Sequence, residues 1–597
     1  MIMSNSKAEH VKEFFREQAS AQDRDHMRSR RCKVKDLFSD DFLNVGYAER
    51  VDEQRGQVVV RFDKGGAPRL RYLKSFVVVR KTAREELGTN AHKWECTFDE
   101  FIKDSRYYTQ SSDIQAVSYT RGEDPRYDYV CCGSVSLAMY ASIKDALAKG
   151  LHPMLLIFEN YPPKDFFLNM SRFIMKNVDD PLLNYDKPIV LDDWNPVPLE
   201  YNPENPTGIA DTLMATLEKE NCCILQGPPG TGKSYTIAQI IATYLKEGKS
   251  VCSTTMTNKG LVELCSQKPL KECIESGVVY KTRLTADEKK RIPGVEFTDN
   301  KICPSKGHLL CTTNYLLSGV FSDKYQGDDD DLDGMFDLLV IEEASQTFYT
   351  TINAFRRLGC HCLIVGDPRQ MPPIVSGQNN PLLSVEDQVR ESRGLEAYAI
   401  AANVKSFVVT TSFRLTERSA ELTSIFYGKT KLKSVLVERP SFPGCPQNLF
   451  PAQGGSLFHC TDNSSNPILS ETASRLIGDV IKNLDEACPE EEEKRFDVAI
   501  ICPFKDSVKA IQRRYQNADR KIFLTIETVD RVQGMTVDYC ILYLPSYYAA
   551  FALEEHRFNV ATSRSRTTTL IISDTDLTQI HKFKGLVKQY INQCERI

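Results

Sequence analysis

Apolar and polar positions along the 597-residue chain change rhythm several times. The first stretch, to about Arg31, is charged and helix-like. Short β-branched runs follow: Gln57-Val58-Val59-Val60-Arg61-Phe62 and Ser75-Phe76-Val77-Val78-Val79 flank a Gly65-Gly66-Ala67-Pro68 turn. Turn-bounded runs of this length suit a small β-barrel or curled sheet, placed at about 40–90. From about Leu137 to Ala148 the period returns to that of a helix. Pro-rich material around Tyr161-Pro162-Pro163 and from Asn195 to Pro206 reads as boundary. From 207 to 404, and again from 405 to 597, short apolar strands alternate with helical stretches, the βαβ rhythm of a parallel sheet. The expected fold is α/β: two parallel-sheet lobes behind a mixed N-terminal region, 1–206, that includes the barrel.

Composition narrows the setting. No run of 18 apolar residues occurs, so neither a membrane span nor a membrane partner is expected. The start, Met1 to Lys7, lacks an apolar signal core, which points to the cytoplasm and leaves the nucleus open. A net charge of −5 neither favours nor excludes nucleic acid, because a cleft can be basic within an acidic chain. The 19 cysteines show no C-x-x-C or finger spacing and read as buried reduced thiols. Cys360-His361-Cys362, at the mouth of the strand Leu363-Ile364-Val365, is read the same way rather than as a zinc site. The acidic runs Asp328–Asp331 and Glu490–Glu493 read as solvated faces.

The chemistry concentrates in three places. Gly227-Pro228-Pro229-Gly230-Thr231-Gly232-Lys233-Ser234 fits G-x-x-x-x-G-K-[ST], between an apolar strand at Cys222–Leu225 and a helical stretch at Tyr235–Leu245. Glycines let successive backbone N–H groups turn inward as an anion nest at a helix N-terminus. Residues Gly227 to Tyr235 are therefore the expected binding loop for ATP, with Lys233 on the β- and γ-phosphates and Ser234 on Mg²⁺. A second strand, Leu338–Ile341, delivers Glu342 and Glu343. In that arrangement the first carboxylate holds the metal and the second orients the attacking water. Glu342 stands where Asp is usual, and its extra methylene moves the carboxylate by roughly 1.5 Å. The third element is Val365-Gly366-Asp367-Pro368-Arg369-Gln370, a strand ending in a turn that presents the Gln370 amide to phosphate and water.

With these three elements the chain resembles a superfamily-1 helicase of the 5′-to-3′ group that includes the nonsense-mediated-decay RNA helicase. Further stretches match that family in order. Thr255-Met256-Thr257-Asn258-Lys259 resembles motif Ia, and Thr312-Thr313 the next backbone-contacting strand end. Ser412-Phe413-Arg414-Leu415 resembles Q-Y-R-M, with Phe426-Tyr427-Gly428-Lys429 downstream. Cys502-Pro503-Phe504 resembles the T-P-Y turn, Thr528 to Gly534 motif V, and Asn559 to Arg566 motif VI.

The resemblance implies two RecA-like P-loop lobes and an enzyme that hydrolyses ATP to move along, and unwind, single-stranded or tailed DNA or RNA. It implies arginine fingers at Arg414 and Arg564, and nucleic-acid contacts from Thr255, Asn258, Lys259, Thr313, Pro503, Thr528 and Arg531. It places a variable insertion at 266–308 and leaves biological specificity, including any protein partner, to the N-terminal region. The nucleoside-reading shell departs from the family. No Gln stands near Gly208 or Ile209, where Tyr201 or Asn205 would have to substitute; Ser412 replaces a Gln and Thr536 a Glu. Weak discrimination among nucleotides follows. Two other readings stay open: an ATPase that remodels nucleoprotein complexes without unwinding, and a nucleotide-gated binding scaffold with weak hydrolysis.

Overall fold

The computed structural model describes residues 7–597 apart from 40–41, 65, 69–72, 80–94, 104–107, 121, 123, 125, 160–164, 299–301, 303–304, 324–331, 376–382, 440–448, 462–467, 492–493, 516–519, 546–550, 552 and 578–584. Gly65, Tyr161-Pro162-Pro163, Asp328–Asp331 and Glu492–Glu493 lie outside the described residues.

Six antiparallel strands close into a barrel: β1 (Leu43–Asp52), β2 (Gln57–Asp63), β3 (Leu73–Val79), β4 (Tyr108–Thr120), β5 (Tyr127–Gly133) and β6 (Met154–Glu159), in the order β1-β2-β5-β4-β3-β6. Period-two alternation fills it, with Val58, Val60 and Phe62 turned inward against Val130, Cys132, Leu155 and Ile157. Gly46 has no side chain for a reason: a Cβ there would collide with Val60 and Phe62. The helix Leu137–Ala148, capped by Ser136 on Met139 N at 3.3 Å, plugs the barrel with Met139 and Ile143. The strands run to Glu159, well past the expected limit of 90, because β4 is mostly polar and carries little hydrophobic signal.

Two parallel sheets follow. The larger has nine strands: β7 (Val197–Leu199), β8 (Cys222–Gln226), β9 (Val251–Thr255), β10 (Val279–Thr282), β11 (Glu296–Thr298), β12 (Leu309–Thr313), β13 (Phe336–Ile341), β14 (Gly359–Gly366) and β15 (Ser406–Val409). Their order is β11-β10-β12-β9-β13-β14-β8-β15-β7. A two-stranded ribbon, β16 (Thr411–Thr416) and β17 (Lys433–Leu436), leads to the second sheet. That sheet holds β18 (Gly455–Cys460), β19 (Asp497–Cys502), β20 (Phe523–Thr528), β21 (Tyr539–Leu544), β22 (Thr568–Ser573) and β23 (Glu595–Arg596), ordered β20-β19-β21-β22-β18-β23.

The expected α/β architecture is present, with adjustments at its borders. Strand β7 precedes residue 207 and β15 follows 404, yet both belong to the first sheet, so the boundaries drawn at those points shift outward. Residues 266–308, expected as an insertion, supply the edge strands β10 and β11 and the helix Ala286–Arg291 on which the barrel sits. There Ala286 N donates to Val135 O at 3.0 Å and Ser134 N to Asp287 Oδ1 at 2.8 Å. Among the described residues no helix is long and apolar enough to cross a membrane.

The N-terminal helix Lys7–Arg31 is no solvated arm. Its Ala8, Val11, Phe14 and Phe15 join Phe166, Phe167 and Phe348 in the core beneath the first sheet, with Phe15 and Phe348 rings 5.5 Å apart. Phe15 is fully buried. Truncating such a ring removes its transfer energy and leaves a cavity, so Phe15→Ala is expected to lower unfolding free energy by about 3–5 kcal/mol. Urea unfolding monitored by circular dichroism measures this, and a loss below about 1 kcal/mol would show that the helix docks only loosely.

Candidate functional site

The site forms where the strands of the first sheet end. Strand β8 stops at Gln226 and the chain turns through the phosphate loop, tied to β14 by Gly227 N donating to Gly366 O at 3.0 Å. Gly230 and Gly232 take φ of +74° and +77°, the left-handed region that lets the loop reverse before the helix Lys233–Lys246 begins. A Cβ on Gly230 would also collide with Arg414. The Lys233 ammonium is turned back on the loop, donating to the carbonyls of Gly227 and Pro228. Burial pushes its pKa down, with Asp367 pulling the other way.

Strand β13 delivers the acidic pair. Glu342 accepts from Ser253 Oγ on the neighbouring β9 at 2.8 Å. Burial, then the charges of Glu343 and Glu263, push its carboxyl up to about 8, so in this arrangement it keeps its proton at neutral pH. Glu343 sits at φ +49°, accepts from Gln346 Nε2 at 3.2 Å, and is likewise raised by burial and by Glu263. At the end of β14 the Asp367 carboxylate gathers a network. Gln370 Nε2 donates to its Oδ2 at 2.8 Å, Tyr427 Oη to the same oxygen at 2.6 Å, and Gln226 Nε2 to Oδ1 at 3.4 Å.

The opposite wall carries arginines. Arg414, on β16, donates to Ser563 O at 3.3 Å. Arg564 donates to Val560 O at 2.7 Å, Ser563 Oγ at 2.9 Å and Met535 O at 3.4 Å. Burial lowers Arg414 to about 9, helped by Arg564, and Arg564 to about 10; both remain cations at neutral pH. Loop, acids, Gln370 and both arginines line one cleft of about 330 Å³. Ser234, Glu342 and Glu343 offer it hydroxyl and carboxylate oxygens only, the donor set that suits a hard cation such as Mg²⁺, and the buried Glu342 beside the half-buried Glu343 is eased by one.

Residues 211–376 and 401–576 each match an AAA domain. The putative helicase mov-10-B.2 of Danio rerio is 21% identical over 434 residues, covering 63% of this chain and 41% of the relative. The DNA-binding protein SMUBP-2 of Mesocricetus auratus is 22% identical over 452 residues, covering 64% of this chain and 44% of the relative. The DNA replication ATP-dependent helicase/nuclease dna2 of Schizosaccharomyces pombe is 21% identical over 385 residues, covering 58% and 26%. The chain belongs to the superfamily-1 helicases. It spans less than half the length of these relatives.

In this superfamily-1 chain the altered nucleoside shell has local partners. Ser412 Oγ donates to Pro229 O at 3.1 Å, bracing the phosphate loop where a longer Gln side chain is usual. Phe413 lines the cleft and meets the Tyr201 ring edge-on at 4.8 Å. Thr536 lines the cleft too. Asn205 lies against Gly208 at the start of the helix Gly208–Glu220.

The expected nucleic-acid residues fall into two groups at strand ends. Thr255 and Thr313 are register partners at the ends of β9 and β12. Thr528 is the register partner of Cys502 at the ends of β20 and β19, and Pro503 follows directly. Thr255 Oγ1 is buried with no hydrogen-bond partner among the described residues. Lys259 lies on the helix Asn258–Cys265, and Arg531 on the helix Val529–Val532. Asn258 opens the same helix as Lys259. The buried Lys281 ammonium donates to Asn258 Oδ1 at 3.0 Å, which orients the side chain and leaves its amide nitrogen as the donor.

Phe504 stacks on Phe551 with centroids 5.7 Å apart, and Arg557 covers Phe551 at 4.1 Å. No disulfide joins the described cysteines; His361 Nδ1 pairs with Tyr244 Oη at 3.2 Å inside β14. Sequence reasoning assigned no role to Asp367, Tyr427 or Ser253. The first two stand inside the motifs given above, whereas Ser253 lies just ahead of one, on a strand rich in Ser and Thr.

Proposed function

We propose that this chain is an ATP-driven motor on single-stranded nucleic acid that moves 5′ to 3′ and unwinds duplex DNA or RNA. The observation that carries the reading is the shared cleft: Lys233, Glu342, Glu343 and Gln370 face it from the first sheet, Arg414 and Arg564 from the ribbon and second sheet. The loop amides hold the triphosphate, and Lys233 leaves its carbonyl partners to meet the β- and γ-phosphates. Ser234 and Glu342 would hold Mg²⁺, the Glu342 carboxyl giving up its proton as the cation binds, and the cation would supply neutralising charge to the triphosphate. Glu343 and Gln370 orient the attacking water, and the two guanidinium groups stabilise charge spreading over the transferred phosphoryl group. Because the arginines and the loop belong to different parts of the chain, nucleotide occupancy alters their spacing. Repeated closure and opening around a strand gripped at the two sets of strand ends is translocation. The similarity to a helicase and to an ATP-dependent helicase/nuclease supports this. Glu342, standing where Asp is usual, together with the altered nucleoside shell at Ser412 and Thr536, favours a second reading, a nucleotide-gated scaffold with weak hydrolysis.

Steady-state ATP hydrolysis with and without single-stranded DNA and RNA separates them. The motor reading expects strong stimulation by at least one polymer, with Lys233→Ala reduced to background and comparable turnover of ATP, GTP and CTP. Nucleotide binding without turnover under every condition would favour the scaffold, and strict ATP dependence would remove the relaxed-selectivity reading.

A further inference from the structure

The Phe-Tyr-Gly-Lys stretch at 426–429 has no role in the chemistry above, yet its tyrosine reaches the centre of the site. Tyr427 closes a short turn, Ile425–Tyr427, after the helix Glu417–Ser424. Its ring is packed in the core of the second sheet, with Phe426, Leu415, Val560 and Ala561. Its hydroxyl leaves that core and donates to Asp367 Oδ2, at the end of the first sheet, at 2.6 Å. The same oxygen accepts from Gln370 Nε2 at 2.8 Å. Asn559, on the helix Glu555–Thr562, completes the link from the second sheet: its Nδ2 donates to Tyr427 Oη at 3.2 Å and to Arg369 O at 2.7 Å. Tyr427, Asp367, Gln370 and Asn559 are all buried.

A side-chain amide has one carbonyl oxygen and one NH₂ group. With its NH₂ held on Asp367, Gln370 is left with a defined orientation of its carbonyl toward the cleft. Buried networks of this kind fix geometry because each member is costly to leave unpaired. Burial and the neighbouring Asp367 carboxylate hold the phenol protonated, so it stays a donor. We propose that Tyr427 is a positioning residue: it carries the placement of the second sheet through Asp367 to the Gln370 amide, so that water is oriented for attack only when the two halves are correctly apposed. The assignment rests on the ATPase reading above and adds a regulatory residue to the same site.

The test is Tyr427→Phe, made in the wild-type and Gln370→Ala chains, with kcat and KM for ATP measured with saturating single strand. Phenylalanine keeps the packed ring and removes only the hydroxyl. The expected result is a kcat about tenfold lower with KM for ATP within about twofold, and no further loss in the Gln370→Ala background, since residues acting as a unit are non-additive. A residue that merely supports the fold gives the same fractional loss in both backgrounds and a lower thermal midpoint; that result, or an unchanged kcat, overturns the assignment. If Gln370→Ala turns over too slowly to read, the split between kcat and KM decides alone. A wild-type chain without turnover removes the ATPase reading and this assignment together; normal wild-type turnover with an unaffected Tyr427→Phe removes the assignment only.

Discussion

Arg414→Ala is expected to lower the ATP turnover number by roughly 10³–10⁵-fold, the range that a transferred-phosphoryl arginine supplies. The expectation follows from what Arg414 does in the fold, which is little: one guanidinium nitrogen meets Ser563 O at 3.3 Å. It is nevertheless held in the cleft, against Gly230 of the phosphate loop and beside Arg564. A half-buried cation beside a buried one is destabilising until an anion arrives, and a triphosphate is such an anion. Arg564 is the less clean probe. It is 2% exposed and holds the carbonyls of Val560 and Met535, so its removal orphans buried acceptors and mixes lost stability with lost catalysis. Single-turnover hydrolysis at saturating ATP measures the chemical step for Arg414→Ala. A turnover within tenfold of wild type would show that this arginine does not reach the reacting phosphate.

Glu343→Gln should separate binding from hydrolysis. The amide keeps the shape of the side chain and its place beside Gln346, 3.2 Å away, but cannot orient water by accepting its proton. Turnover is expected to fall by about 10²–10⁴-fold, while affinity for a fluorescent ATP analogue stays within a few-fold. Glu343 is the more telling of the two acids because Glu342 is tied to Ser253 and its carboxyl sits at about 8. Retained turnover in Glu343→Gln would pass the role of orienting water to Gln370 alone.

How far the sequence anticipates this arrangement depends on the range of the interaction. The phosphate loop, the acid pair and Gln370 are each local: a strand ends, a turn follows, and a few adjacent residues carry the chemistry, so their identity and spacing suffice. The two-sheet architecture is legible for the same reason, since runs such as Leu338–Ile341 are apolar throughout and must be covered on both faces. What escapes is pairing between distant segments. Nothing in Tyr280 or Phe297 announces that β10 and β11 extend the first sheet, because edge strands carry mixed sequences. The link from Tyr427 to Asp367 spans the two halves, and no local pattern encodes it. Lys281 reads as an ordinary charged residue; only the structure shows it buried against Glu288 and bracing the Asn258 carbonyl. The barrel is legible through the valine-rich strands β2 and β3 and hidden at β4, whose Thr, Gln, Ser and Asp residues resemble a loop.

The packing of Phe15 against Phe348 sets a timetable for the ribosome. The two aromatic rings are about 330 residues apart in the chain. At roughly 5–20 residues per second, the N-terminal helix emerges about 15–65 s before its partner has been made. Its stripe of Ala8, Val11, Phe14 and Phe15 has nothing to lie against until Phe166 and Phe167 follow about 150 residues later, and that core stays open on its Phe348 side until the end of the interval. A nascent chain in that condition is prone to aggregate and suits a chaperone that holds hydrophobic segments, so the yield of folded enzyme is set early in translation, long before the nucleotide cleft exists.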